Sequence, residues 1–338
     1  MAAPMIPMTP ALRQLAAGDF SALVQRFGLA GFNVARPAAG IVTISARQDT
    51  CAVARASVLL SVGVHGDETG PIDMLAGLLD ALSLQPSSLA VDLMVCVGNI
   101  DAIAAGKRFS GADLNRMFGA RRGALGAAAE AARADAMMDA TTRFFAGAGA
   151  GAGAGGARWH LDLHTAIRPS EYPTFAVVPD LIAAAPKTAL VGWLGQAAIG
   201  AIIMNPQSAG TYSYYSAEQH GAAAATVELG QVGALGQNDL SLLAGSADAL
   251  GALLRGVHAG AGSQPQVFRV AQEIIKLSDD FAMAFGRDTR TFTALPAGAV
   301  IATDGATVYR VGHAEERVVF PNPDVRIGLR AGLMVVRA

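Results

Sequence analysis

Short apolar runs rich in β-branched residues alternate along most of this chain with longer Ala/Leu-rich stretches. Strands are predicted at 40–46, 57–64, 91–97, 159–163, 174–178, 201–204 and 225–229, and helices at 71–82, 127–145, 187–196 and 239–255. Parallel strands need a crossover of a dozen or more residues, usually a helix, so this alternation calls for an α/β fold. The strand at 57–64 is apolar apart from Ser57 and Ser61, as expected of a strand with helices on both faces of a largely parallel sheet. Pro71 suits the first turn of its helix, where the missing N–H costs nothing.

The pattern changes after about residue 256. HAGAGSQPQ reads as a linker, and beyond it lies a series of short β-rich runs broken by Gly, Pro and Asp-Gly turns. The chain of 338 residues is therefore expected to divide into a larger α/β part, 1–256, and a small β-rich domain, 264–338. Within the first part, residues 146–157 (AGAGAGAGAGGA) have no side chain large enough to pack. They are expected to be a flexible loop without a function of its own.

Composition removes several classes of function. With 25 Lys+Arg against 27 Asp+Glu, the net charge of −2 gives no electrostatic footprint for nucleic acid or an anionic membrane. An apolar fraction of 52% is too high for a disordered chain. No apolar run reaches the ~20 residues of a transmembrane helix. Pro4, Pro7 and Pro10 interrupt any signal-like N-terminal core. A cytoplasmic protein is expected. The two cysteines, Cys51 and Cys96, cannot make a zinc knuckle, and Cys96 lies in an apolar strand. A metal would have to be held by His, Asp or Glu.

Two of the six histidines stand out by context. In SVLLSVGVHGDETGP a buried strand runs into a Gly-rich turn carrying His65 and Glu68 just before a helix. A His-x-x-Glu turn can bring two zinc ligands to one point, beyond the carboxyl end of a strand where α/β sheets bind ligands. A plain polar turn with a helix-start carboxylate is the other reading. In RWHLDLHTAIRPS the strand period puts His160, Asp162 and His164 on one face. His164 reaches the same sheet edge as His65, His160 reads as structural, and Asp162 is placed to orient a ligand histidine. Arg108, Asn115 and Arg116 share a loop-like stretch, where a guanidinium fork and an amide suit a carboxylate. Glu228 ends an apolar strand, an unusual place for a lone carboxylate.

HGDETGP, KRFSGADLNRMF, WHLDLHTAIR, VELGQVGALGQNDL and FPNPDVRIGLRAGLM occur together and in order. With these motifs the chain resembles the succinylglutamate desuccinylase/aspartoacylase family, itself similar to zinc carboxypeptidases in fold. The likeness runs from about residue 57 to the C-terminus, and WHLDLHTAIR and GQNDL favour the desuccinylase branch. The resemblance implies a carboxypeptidase-like catalytic domain over 1–256 and one Zn2+ held by His65, Glu68 and His164. It implies Glu228 as general base and acid, and Arg108 beside the scissile carbonyl. Asn115 and Arg116 would hold a substrate carboxylate, with a second carboxylate contact for Arg168. Two departures are visible: the Gly/Ala repeat ahead of Trp159, and Asp67 where Asn is more often expected. Neither removes a motif residue.

The reaction so implied is zinc-dependent hydrolysis of the amide of N2-succinyl-L-glutamate, the last step of arginine catabolism by the succinyltransferase route. The partner would be a small N-acyl amino acid, and a homodimer is allowed, since dimers are common among soluble enzymes. The alternatives are a deacylase for another N-acyl amino acid, a carboxypeptidase, and a non-catalytic binding protein that kept the fold. The last would have lost a ligand or the base, and all four residues are present. Another divalent metal, such as cobalt, would suit the same His2Glu set.

Overall fold

The computed structural model describes residues 8–46, 55–119, 122–147, 156–286 and 288–338. Pro4, Pro7, Cys51 and most of the Gly/Ala repeat lie outside the described residues.

Two short helices, α1 (Pro10–Ala16) and α2 (Ser21–Leu29), lead into the hairpin of β1 (Asn33–Ala38) and β2 (Ile41–Ser45). The α/β part continues as β3 (Ser57–Val62), α3 (Gly70–Leu84), β4 (Asp92–Val97), α4 (Ile100–Ala105), α5 (Glu130–Gly147), β5 (Arg158–Ala166) and β6 (Thr174–Pro179). It closes with α6 (Ala184–Gln196), β7 (Ala201–Asn205), α7 (Tyr212–His220), β8 (Ala223–Gln231) and α8 (Ala244–Leu254). The C-terminal strands are β9 (Gln266–Ile275), β10 (Ala282–Met283), β11 (Ala294–Pro296), β12 (Val300–Asp304), β13 (Thr307–Arg310), β14 (Glu315–Val319) and β15 (Arg330–Arg337).

One sheet of 12 strands runs in the order β1-β2-β4-β3-β5-β8-β6-β7-β9-β15-β14-β11. Its heart is parallel, as expected: β3 pairs with β4 and β5, and β5 pairs with β8. Every residue of β3 is buried, so both faces of this heart are covered. β6 runs antiparallel to β8, and β7 and β9 pair in parallel. The sheet of the α/β part therefore passes without a break into the C-terminal strands. β10, β12 and β13 form a separate three-stranded sheet over a small core of Ile274, Ile301, Val318 and Met334. At the junction Phe292 packs edge-on to Phe175 of β6, with centroids 5.3 Å apart, and lies 5.1 Å from Phe268 of β9.

The expected strands and helices are present, with shifted ends. β5 runs on to Ala166, so His164 lies inside the strand rather than at its tip. The stretch 98–118, expected as loop, contains α4, capped by the Asn99 side chain accepting from the Ala102 N–H. α7 is a helix without a sequence signal: YSYYSAEQH has no apolar stripe at helical spacing. Its N-terminus is set by Thr211, whose hydroxyl accepts from the Tyr214 N–H, and its C-terminus by Gly221 in the left-handed region. No described helix is long and apolar enough to cross a membrane.

Cys96 of β4 is fully buried, and burial pushes its thiol up to about 11. Only the thiolate is nucleophilic, so the native protein should protect it. In a Cys51→Ser variant at pH 8, a thiol-alkylating reagent should label Cys96 only at the rate of global unfolding. Labelling of the native protein at the rate of a free thiol would contradict this burial.

Candidate active site

Three adjacent parallel strands bring the site together. β3 ends at Val62 and the chain turns through His65 and Glu68 into α3. The turn is tight: a Cβ on Gly66 would lie 2.3 Å from the Ala102 carbonyl carbon of α4, so only glycine fits there. On the neighbouring strands His164 of β5 and Glu228 of β8 are register partners. Parallel partners project to the same side of a sheet, so the imidazole and the carboxylate share a face.

His65, Glu68 and His164 are all buried, and one ligand atom from each lies within 4.8 Å of the others. The Glu68 carboxylate is the centre of the cluster. Its Oε1 is 2.8 Å from His65 Nδ1 and accepts from Arg108 Nη1 at 2.7 Å. Its Oε2 is 2.7 Å from His164 Nδ1 and accepts from the Thr165 N–H at 3.1 Å. His65 Nε2 is 2.9 Å from Asp113 Oδ1, and His164 Nε2 is 2.9 Å from Asp162 Oδ2.

The electrostatics follow from these contacts. Burial alone would raise Glu68, but the two imidazoles hold its carboxyl well below the usual range. Burial would lower both histidines, yet Glu68 with Asp113 raises His65, and Asp162 with Glu68 raises His164. A buried set of two imidazoles and one carboxylate, with carboxylates behind both rings, favours positive charge at its centre. That is the donor set of a divalent-metal site of the His2Glu type, and the residues present fit one.

Glu228 stands apart from Glu68, Asp113 and Asp162, whose oxygens are engaged. It is buried, and its Oε2 has no hydrogen-bond partner among the described residues. Burial first, then the charge of Glu68, pushes its carboxyl up to about 7. A carboxylic acid so placed changes protonation near neutral pH.

The expected anion-binding residues sit in different ways. Arg108 is half-buried over the cluster, with Nη2 3.2 Å from His65 Nε2. Asn115 is buried in a 3-10 turn, Leu114–Arg116, and its Oδ1 accepts from the Tyr212 N–H at 3.0 Å. Arg116 is half-exposed beside it and donates to the Asn115 carbonyl. Arg168 lies further out and donates to the Gly286 carbonyl of the C-terminal domain at 3.0 Å. The same contact zone joins Thr291 N to the Pro169 carbonyl and Arg290 to the Ser170 carbonyl.

Sequence reasoning passes over several residues. Asp113 meets His65 and also accepts from the Asn115 N–H at 2.9 Å, so it joins the His65–Glu68–His164 cluster to the turn carrying Asn115 and Arg116. Its one signal is its place two residues before Asn115. Glu130, at the start of α5, accepts from the N–H groups of Ser110, Gly111 and Ala112 and so fixes the segment after Arg108. Arg330 of β15 pairs with Glu273 at 3.2 Å, and burial, then the charge of Arg116, lowers it.

Hydrogen bonds to a charged acceptor contribute ~2 kcal/mol each at most sites. Glu130→Ala should therefore destabilise the protein by about 2 kcal/mol or more. Amide hydrogen exchange at Ser110, Gly111 and Ala112 should accelerate well before the core exchanges. Unchanged protection of those three amides would show that the loop is held by something else.

Residues 54–254 match the succinylglutamate desuccinylase/aspartoacylase catalytic domain, and residues 263–338 match the AstE/AspA barrel-sandwich hybrid domain. A succinylglutamate desuccinylase from Burkholderia orbicola is 46% identical over 286 residues, which is 84% of this chain and 82% of that protein. One from Paraburkholderia xenovorans is 43% identical over 83% of this chain and 81% of its own length. Among solved structures, the succinylglutamate desuccinylase of Vibrio cholerae superposes with a TM-score of 0.79 at 31% identity, covering 94% of each chain. By motif order, fold and these likenesses, the chain belongs to the succinylglutamate desuccinylase/aspartoacylase family.

Proposed function

We propose that this chain hydrolyses the amide bond of N2-succinyl-L-glutamate, giving succinate and L-glutamate. The observation that carries this reading is Glu228. It is a buried carboxyl with an unpartnered oxygen, poised near neutrality beside His65, Glu68 and His164. The relatives named succinylglutamate desuccinylase support the choice of substrate.

His65, Glu68 and His164 would hold one Zn2+ per chain. Bound there, zinc supplies polarisation of a carbonyl and acidification of water. The remaining work falls to the chain's own side chains. Glu228 takes a proton from the attacking water as its oxygen bonds to the amide carbon. It then returns that proton to the leaving nitrogen as the C–N bond breaks. A carboxyl held near 7 accepts and releases a proton at similar cost, as both halves of the reaction require. Arg108 faces the same point and adds positive charge where the oxyanion develops. Asn115 and Arg116 bind a carboxylate through an amide and a guanidinium fork, and Arg168 contacts a second carboxylate at the rim. Tight fixing of a small tricarboxylate suits a fold whose C-terminal domain is tied down beside the site at Gly286, Arg290 and Thr291. An extended peptide would need that edge open.

On the same reading the enzyme works in the cytoplasm, at the last step of arginine catabolism by the succinyltransferase route, and a homodimer is allowed. The chain then divides into a catalytic domain, 1–256, and a β-rich domain, 264–338.

Two measurements test it. Glu228→Gln keeps the shape and removes the titrating group, so kcat should fall by ~10²–10⁴-fold with zinc content unchanged. Near-normal turnover would overturn the role of Glu228. In a comparison of N-succinylglutamate with N-acetylglutamate and N-acetylaspartate, kcat/KM should be highest for the succinyl compound. Faster turnover of an acetyl compound would reassign the enzyme to another N-acyl amino acid.

A further inference from the structure

His160 has no place in the proposed mechanism, yet its surroundings are not those of an inert core residue. The ring is fully buried in β5, and both nitrogens are engaged. Nδ1 is 2.7 Å from Ser216 Oγ on α7, and Nε2 is 2.9 Å from Ser61 Oγ on β3. Ser61 donates its hydroxyl to Asp162 Oδ1 at 2.5 Å, and Asp162 Oδ2 meets His164 Nε2. A serine hydroxyl has one hydrogen. Because Ser61 gives that hydrogen to Asp162, it must accept from His160 Nε2–H. His160 Nδ1 is then free to accept from Ser216. Donors thus converge on Asp162 from both sides, and both of its oxygens are filled.

The consequence falls on His164. A carboxylate pinned at both oxygens cannot swing, so the proton it accepts stays on His164 Nε2. Nδ1 is thereby the nitrogen turned to Glu68 and the centre of the cluster, and its lone pair is the one a metal ion held there would take in place of the proton shared with Glu68. His160 also reaches the substrate side. Its ring lies edge-on to Tyr212, with centroids 4.5 Å apart, and the Tyr212 N–H donates to Asn115 Oδ1. A leucine would fill this volume without any polar group to satisfy. Burying a serine, a histidine and an aspartate together costs stability unless every partner is met, and here each is.

We propose that His160 and Ser61 are positioning residues for the metal ligand His164. They form a buried relay, Ser216–His160–Ser61–Asp162, that fixes which nitrogen His164 offers and where. This rests on the reading of His65, Glu68 and His164 as metal ligands. Partners behind a metal-bound histidine commonly change affinity about 10–100-fold when removed.

The test measures metal affinity rather than turnover. Zn2+ dissociation constants of the full chain are obtained by competition with a chromophoric chelator for wild type, Ser61→Ala, His160→Gln and Ser216→Ala. Thermal unfolding of each metal-free protein is measured in parallel. Ser61→Ala and His160→Gln should weaken Zn2+ binding by more than about twofold, short of the about 10–100-fold expected for losing Asp162 itself, and Ser216→Ala, one link further away, by less. The visible absorption of the Co2+-loaded proteins should shift in the same order. If His160→Gln fails to fold, Ser61→Ala decides, because it removes a single oxygen. Zn2+ affinities within about twofold of wild type, with only the melting temperature lowered, would make the relay purely structural and overturn the inference. His164→Ala is the control for the ligand assignment. If Zn2+ binding survives it, that assignment fails and takes the relay with it, an outcome distinct from normal affinity in the Ser61 variant alone.

Discussion

The carboxylate of Glu68 organises this molecule's functional end. A buried, unpaired carboxylate is costly, and here the charge is met by two imidazoles, a guanidinium and a backbone N–H. Those four groups come from three separate segments: the turn after β3, the stretch after α4 and the end of β5. Satisfying one charge therefore brings together segments that the chain order keeps far apart, Glu68 and Thr165 being 97 residues distant. Asp113 and Asp162 stand behind the two histidines and hold each ring in place. Charges alternate in sign outward from the centre, which lets so many ionisable groups share a dry space.

That arrangement depends on the parallel register of β3, β5 and β8. Ser61 opposes Asp162, and His164 opposes Glu228. A slip of one residue in β5 would turn His160, Asp162 and His164 to the opposite face and remove their contacts with Ser61, Ser216 and Glu68. Register is secured by burial on both faces, since Leu59, Leu60, Leu161 and Val227 all lose their cover if the strand shifts. The abundant alanine of the sequence contributes here: Ala223, Ala224 and Ala225 of β8 are small enough to let helices pack close to the sheet. The sparse charged residues then gather at the strand ends, around Glu68.

The His65–Glu68–His164 cluster is legible in the sequence because its signals are local. A strand, a Gly-rich turn with His-x-x-Glu and a helix start succeed one another in the chain. The alternation in WHLDLHT likewise reveals which residues share a face. Glu228 is visible as a charge at the end of an apolar run. The hidden features depend on contacts distant in sequence. Asp113 is one acidic residue in a polar loop until folding brings it to His65. His160 looks like a core histidine until Ser61 and Ser216 arrive from other elements. α7 lacks an apolar stripe because it packs Tyr212, Tyr214 and two buried serines rather than a row of leucines. The change in texture near residue 256 is plain in the sequence, but pattern alone does not disclose that the sheet continues across it.

That continuity bears on how the C-terminal domain acts. β9 is hydrogen-bonded to β7 in the main sheet, and its partner β15 is bonded to β9 along most of its length. Phe175, Phe268 and Phe292 pack the two parts into one aromatic cluster. A hinged lid needs a boundary that opens at low cost, with few buried contacts and few shared backbone bonds. Opening this one would break a strand pair and expose a buried aromatic core. The contacts from Gly286, Arg290 and Thr291 to the loop after β5 add a second line of attachment next to the site. The domain is thus built as a fixed wall. A short substrate anchored at both ends, as the proposed function requires, would then be selected by the distance between that wall and the cluster around Glu68, without a closing motion.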